Sequence, residues 1–201
     1  MASIIKDRVN WKVFKDTEIP DEHIAILDET IGLCPIQRNS MPVPMLFKCG
    51  KSDSIVKQQL SRYVFKNAST GWWEVGPITA PLVYFCIVEN MNDEHFPQQK
   101  LHAGIIGGAL MTQAIHLGYD CSFIGCTEDP SLSEKEIIRN TLLKRFNKDI
   151  GTNFLSFLAL CIGEGVPDTE TQAHYTLDDG TTIPYNHDIS QDPPKPTVII
   201  S

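Results

Sequence analysis

Pro81-Leu82-Val83-Tyr84-Phe85-Cys86-Ile87-Val88 is almost wholly apolar. A run of this length without polar alternation predicts a strand buried on both faces. A second such run, Asn153-Phe154-Leu155-Ser156-Phe157-Leu158-Ala159-Leu160-Cys161-Ile162, predicts another buried strand, closed by Gly163. Val43-Pro44-Met45-Leu46-Phe47-Lys48-Cys49 reads as a further strand, with Pro44 near its start, where a missing N–H is tolerated.

Helical segments lie between these runs. Ile19-Pro20-Asp21-Glu22 opens a helix to about Leu33, with proline at the first turn and acids behind it. Its apolar face is Ile24, Leu27 and Ile31. Ser54 to about Phe65 reads as a second helix. After a short polar connection, 90–100, the segment His102 to Leu117 predicts a helix rich in small residues: Ala103, Gly104, Gly107, Gly108, Ala109 and Ala114. Glycines cost a helix up to ~1 kcal/mol each, so close approach of a neighbouring element or a ligand must offset the loss. Ser131-Leu132-Ser133-Glu134 has the pattern of a capping box, opening a helix to about Asn147. Leu143-Lys144-Arg145 then falls in its last turn, where cations meet the helix dipole. Beyond Gly163 the chain turns polar and loop-like, punctuated by prolines, and Thr197-Val198-Ile199-Ile200 reads as a terminal strand. That strand could pair with another subunit or at home.

The bulk numbers bound the function. A length of 201 residues, 42% apolar and 21% charged, suits a single domain with its own core. The formal charge is −8, which argues against a nucleic-acid partner, because phosphate backbones are held by positive patches. No segment approaches the roughly 20 continuous apolar residues of a membrane span, and the N-terminal residues show no signal-peptide pattern. The six cysteines form no CxxC pair and sit mostly in apolar runs, as small buried hydrophobes of a reducing compartment would. The expected location is therefore cytoplasmic. Cys121 and Cys126 lack a second ligand pair, and the six histidines show no metal spacing, so no metal site is expected. Each histidine reads as a surface or helix-end residue; His102, at the expected start of the central helix, is the most notable.

Three stretches could carry binding chemistry. In an extended Arg8-Val9-Asn10-Trp11-Lys12, the side chains of Arg8, Asn10 and Lys12 share one side. Two cations and an amide there could hold a phosphate, or could simply be a solvated face. In Pro35-Ile36-Gln37-Arg38-Asn39-Ser40-Met41-Pro42, an amide, a hydroxyl and a cation sit between prolines; they could read the edge of a heteroaromatic ring, or form an ordinary polar turn. In Phe123-Ile124-Gly125-Cys126, a glycine after a short apolar run could bring a backbone N–H close to a ligand, or could be a plain turn.

Together these stretches resemble the nitroreductase family of flavin mononucleotide (FMN) enzymes. Arg8-x-Asn10-x-Lys12-x-Phe14 is similar to the family's N-terminal phosphate-binding segment, with Asn10 in place of the usual serine. Pro35-x-x-x-Asn39-Ser40-Met41-Pro42 is similar to its flavin loop, with Ile36 and Met41 where serine and glutamine are usual. Ala80 to Phe85 resembles the central strand, His102 to Gly125 the central helix and the flavin loop after it, and Leu158 to Gly163 the following strand. The likeness spans residues 6 to 165. It implies an α+β fold: a central mixed, mainly antiparallel sheet flanked by helices, with the C-terminal strand exchanged between subunits. The whole chain, 1–201, would be one domain with an extended C-terminal arm, 166–201.

The resemblance also implies a function: passage of hydride from NADH or NADPH through the flavin N5 to a nitroaromatic, quinone or similar small-molecule acceptor. The cofactor-binding set would be Arg8, Val9, Asn10, Lys12, Pro35, Ile36, Arg38, Asn39, Met41, Ile124, Gly125 and Cys126, with the backbone near Gly125 or Cys126 facing N5. No catalytic side chain is implied, since the flavin carries the chemistry. The pocket would form in a homodimer, without nucleic acid or membrane. Two features depart from the family. Residues 169–188 contain no Lys or Arg where a basic pair usually reaches the phosphate, and the connection before the central helix is too short for the usual lid. These departures keep open a flavin-binding or cofactor-free scaffold with an interaction role, or a relative using flavin for dehydrogenation or dehalogenation. A binding module of unrelated fold, using Trp72-Trp73 and the proline-rich tail, is the remaining alternative.

Overall fold

A computed structural model describes residues 11–35, 44–65, 74–89, 96–125, 130–167, 174–177 and 179–184. Four strands make the central sheet: β1 (Met45–Cys49), β2 (Leu82–Glu89), β3 (Asp120–Gly125) and β4 (Phe154–Gly163). Their order is β1-β2-β4-β3, and all three pairings are antiparallel. The two apolar runs are thus the two inner strands. Leu82 through Val88 of β2 and Leu158 through Ile162 of β4 are all buried.

Inner strands must be covered on both faces, and five α-helices are described: α1 (Asp21–Leu33), α2 (Ser54–Tyr63), α3 (Gly76–Thr79), α4 (Phe96–His116) and α5 (Leu132–Phe146). Because side chains alternate along a strand, each inner strand supplies two cores. Val83, Phe85 and Ile87 of β2, with Ala159 and Cys161 of β4, pack against Val56 and Leu60 of α2 and Ile138 and Leu142 of α5. Leu82 and Tyr84, with Leu160 and Ile162, pack on the other face against Leu27 of α1 and Ile106, Leu110 and Ala114 of α4. Burying one large side chain such as Phe85 contributes ~1.5–3 kcal/mol. Helix α1 is also fixed by a polar contact. The buried Tyr84 hydroxyl donates to Asp28 Oδ1 at 2.8 Å, and Asp28 also pairs with Lys48 of β1.

The local signals act as the sequence predicts at most helix ends. Asp21 and Glu22 occupy the first turn of α1. Ser131 caps α5 in a complete box with Glu134, and Asn147 ends the helix in the left-handed region at φ 52°. Lys144 and Arg145 do lie in its last turn.

Helix α4 differs from expectation. It begins at Phe96, six residues before His102, taking in the second part, 96–100, of what reads as a polar connection. Pro97 fits the first turn, and Gln98, Gln99 and Lys100 are good helix formers. His102 is consequently not at a helix end but inside the helix, and it is buried. Gly107 explains part of the small-residue composition. A Cβ there would come within 2.5 Å of the Phe123 ring of β3, so the close neighbour is a strand side chain.

The segment after β4 also departs from a loop. His174–Thr176 (β5) and Thr182–Pro184 (β6) form an antiparallel hairpin. Its turn includes Gly180 at φ 83°, a conformation that favours glycine. Leu177 and Ile183 pack with Val75 and Ile78 around α3, and Val13 borders the cluster.

Candidate functional site

The N-terminal segment is held along the exit of β4. Lys15 N donates to Glu164 O at 2.8 Å, Val166 N donates to Val13 O at 3.0 Å, and Phe14 bridges Gly165. Phe14 N donates to Thr79 Oγ1 at 3.2 Å, tying the same segment to α3. Lys15 and Glu164 add an ion pair at 2.5 Å, which holds the Glu164 carboxyl below its usual pKa. The Trp11 ring covers Gly165 so closely that a side chain there would collide with it. Asp120, opening β3, accepts from Gly165 N at 2.9 Å. The start of β3, the exit of β4 and the N-terminal segment are thereby locked together.

Of the twelve cofactor-binding candidates, Lys12, Pro35, Ile124 and Gly125 fall among the described residues. Arg8, Val9, Asn10, Ile36, Arg38, Asn39, Met41 and Cys126 lie outside them, as do Trp72, Trp73 and the terminal strand 197–200. Lys12 is largely buried, and its ammonium stands 3.9 Å from Glu74 Oε2, beyond hydrogen-bond distance. The two groups form a loose ion pair without a hydrogen bond. Ile124 is buried, with its side chain in the core shared by α2 and α5.

Gly76 brings these two together. A Cβ at Gly76 would lie 3.2 Å from Ile124 Cδ1, 3.6 Å from Cys161 Sγ and 3.7 Å from Lys12 O. The absence of a side chain there lets the N-terminal segment, β3 and β4 converge. Gly76 and Asp120 carry no motif of their own, so the sequence signals neither role. Gly125 ends β3, an edge strand of the sheet, and nothing lies within 4 Å of a Cβ built on it. Among the described residues, the backbone groups on the outer side of this edge strand have no ladder partner. Pro35 follows α1 directly. Its neighbour Cys34 belongs to the core on the opposite face of the sheet.

The described donors are compatible with a phosphorylated aromatic cofactor: a partly sheltered ammonium in a loose ion pair and an open strand-end glycine. No group of three or more potential metal ligands occurs among the described residues, and Cys121 is buried in the core of the α1 and α4 face. No described helix is long and apolar enough to cross a membrane.

No protein-family model and no curated protein matches the sequence. Solved structures do. A nitroreductase family protein from Clostridium novyi NT aligns with a TM-score of 0.59 at 14% identity, covering 81% of this chain and 84% of that one. An FMN-dependent nitroreductase from Clostridium difficile R20291 aligns at 0.57 and 15% identity, covering 86% and 95%. A protein from Desulfovibrio desulfuricans in complex with FMN aligns at 0.54 and 13% identity, covering 88% and 91%. The chain therefore has a nitroreductase-like fold, as the motif resemblance implies. Identities this low establish the fold alone.

Proposed function

We propose that the protein is an FMN-dependent oxidoreductase that passes hydride from NADH or NADPH to a nitroaromatic, quinone or similar small acceptor. The observation that carries this reading is the position of Lys12. Its segment is bonded along residues 164–166 of a nitroreductase-like fold, with the ammonium in a loose ion pair, 3.9 Å from Glu74. Solved structures of that fold include an FMN-dependent nitroreductase and an FMN complex.

FMN, when bound, supplies hydride transfer at its ring nitrogen N5. The chain's part is to hold and orient it. Arg8, Asn10 and Lys12 would grip the phosphate by charge-assisted hydrogen bonds, with Val9 in the same segment. Pro35, Ile36, Arg38, Asn39 and Met41 would border the ring and ribityl chain. A cation or amide there, Arg38 or Asn39, would stabilise negative charge at the ring edge. The backbone of Ile124, Gly125 and Cys126 would approach the reactive nitrogen. The chain acts as one domain, with residues 166–201 as a C-terminal arm. It pairs as a homodimer through the outer face of α4, where Leu101 is 62% exposed and Gly104 and Gly108 leave open space. The terminal strand 197–200 then reaches the partner. Turnover takes place in the cytoplasm.

The test is a visible absorption spectrum of the purified protein, before and after adding FMN and desalting. A flavin band near one equivalent per chain, lost in an Arg8→Ala/Lys12→Ala variant that still folds, supports the assignment. No retained flavin at any concentration sinks it. One observation favours a second reading, a flavin-binding or cofactor-free scaffold with an interaction role. The hairpin that occupies part of residues 169–188 is anchored by Leu177 and Ile183, and that whole stretch lacks Lys and Arg. A cofactor-free dimer of normal stability would establish the scaffold.

A further inference from the structure

Lys57, in the middle of α2, is one of the least exposed charged residues described, at 3%. Its ammonium donates to Ala80 O at 2.9 Å, and that is its single hydrogen-bond partner among the described residues. An ammonium has three donors, so two are unused. The neighbouring carboxylates are committed elsewhere. Asp53 binds Arg145 and accepts from Gly50 N at 2.8 Å, and Asp16 is paired with Lys51 at 2.7 Å. The nearby thiols Cys49 and Cys161 are raised by burial, Cys49 to about 12, so they supply no negative charge near neutrality. Burial lowers the Lys57 pKa in turn, and a buried charge without a partner is costly.

Lys57 is among the residues lining a cavity of about 610 Å³. Lys51, Ser54, Thr79 and Tyr175 add polar groups to the lining, and Phe14 and Pro81 add apolar surface. The Ser54 hydroxyl has no partner among the described residues. The Thr79 hydroxyl is occupied, accepting from Phe14 N and donating to Val75 O at 3.1 Å. The lining holds two lysines, Lys51 and Lys57, and one acid, Asp16, in a chain whose net charge is −8. The volume lies within the ordinary range for small-molecule sites.

We propose that this cavity binds a small oxyanion, a carboxylate or phosphate group, held by Lys57 Nζ and the Ser54 hydroxyl. The site is separate from the flavin reading and stands or falls without it. The oxyanion fills the unused donors of Lys57 and supplies the missing counter-charge, while Lys51 remains with Asp16 at the rim.

The experiment uses the full chain with isotope-labelled lysine, titrated separately with inorganic phosphate and with acetate while the lysine side-chain resonances are followed. A saturable shift of the Lys57 resonance beyond that of the other lysines supports the site, and the anion that produces it identifies the source. No saturable shift with either anion overturns it. Calorimetry of Lys57→Met should show affinity for the effective anion reduced roughly tenfold or more, the scale of losing one charged hydrogen bond, whereas Lys144→Met should not. Equal affinity in Lys57→Met overturns the proposal. If that variant fails to fold, the wild-type resonance titration decides alone.

Discussion

The Trp11 ring lies where a side chain on Gly165 would have to sit. This contact closes the clamp that holds the N-terminal segment along the exit of β4, beside the backbone hydrogen bonds of Val13 and Lys15. The position of Lys12 therefore depends on a glycine about 150 residues away. Gly165→Ala is expected to push the ring and its segment aside. Overpacking of this kind costs ~1–3 kcal/mol. Denaturant unfolding should report that loss, and flavin retention, if the cofactor binds as proposed, should fall with it. Wild-type stability with the Trp11 ring unmoved would refute the clamp.

Helix α5 offers a more local prediction. Ser131 Oγ accepts from Glu134 N, and Glu134 Oε2 accepts from Ser131 N at 2.8 Å. Ser131→Ala removes one half of this reciprocal pair and should cost ~0.5–2 kcal/mol. The urea midpoint should drop while the slope of the transition stays the same, because the surface exposed on unfolding is unchanged. The proposed site residues lie elsewhere, so any flavin content should stay constant. A changed slope would mean that more than the cap has been lost.

The legible parts of the fold are those that local chemistry specifies. The Ser131-x-x-Glu134 box, the acids after Pro20 and the unbroken apolar run from Leu82 to Val88 each dictate their element with little outside help. Tertiary contacts override local appearance elsewhere. His102 looks like a helix end because polar residues precede it, yet those residues are helix formers and the histidine is buried. The hairpin of β5 and β6 has only three residues per strand, too few for an alternation to show. Its placement comes from Leu177 and Ile183 meeting Val75 and Ile78 across the chain. Gly76, Asp120 and Lys57 act through partners distant in sequence, and one sequence carries no trace of such pairings. The binding stretches are candidates by chemistry alone; among their described residues, Lys12 and Ile124 converge through Gly76.

Acid should weaken the fold through specific carboxylates. The Asp149 carboxyl is held well below its ordinary pKa, first by the hydrogen bonds from Arg139, 2.5 Å long, and then by Gly151 N. Glu164 is lowered in the same direction by Lys15. A depressed carboxyl takes up its proton later in the folded state than in the unfolded one. Its contribution is therefore complete above the unfolded pKa and is lost as pH falls through the folded value. The decline should begin near pH ~4, the ordinary carboxylate range. Arg139→Gln should lower stability near neutrality and make the acid slope shallower. Urea midpoints measured across the acid range test this, and an unchanged slope in the variant would rule out the Asp149 contribution.

The thiols should be inert until the chain unfolds. Cys34, Cys49, Cys86, Cys121 and Cys161 are all free and buried. Burial raises the thiol pKa of Cys86, like that of Cys49, to about 12. Only the thiolate attacks a disulfide reagent, so Cys49 and Cys86 are protected by protonation as well as by access. In native buffer, a chromogenic disulfide reagent should leave these five unmodified over the time in which a small thiol reacts completely. Denaturant should release them together, because they belong to cores sharing one sheet. Mass spectrometry of the modified peptides assigns each site. Rapid native labelling of Cys86 or Cys161, both on the inner strands, would contradict the packing of the sheet itself.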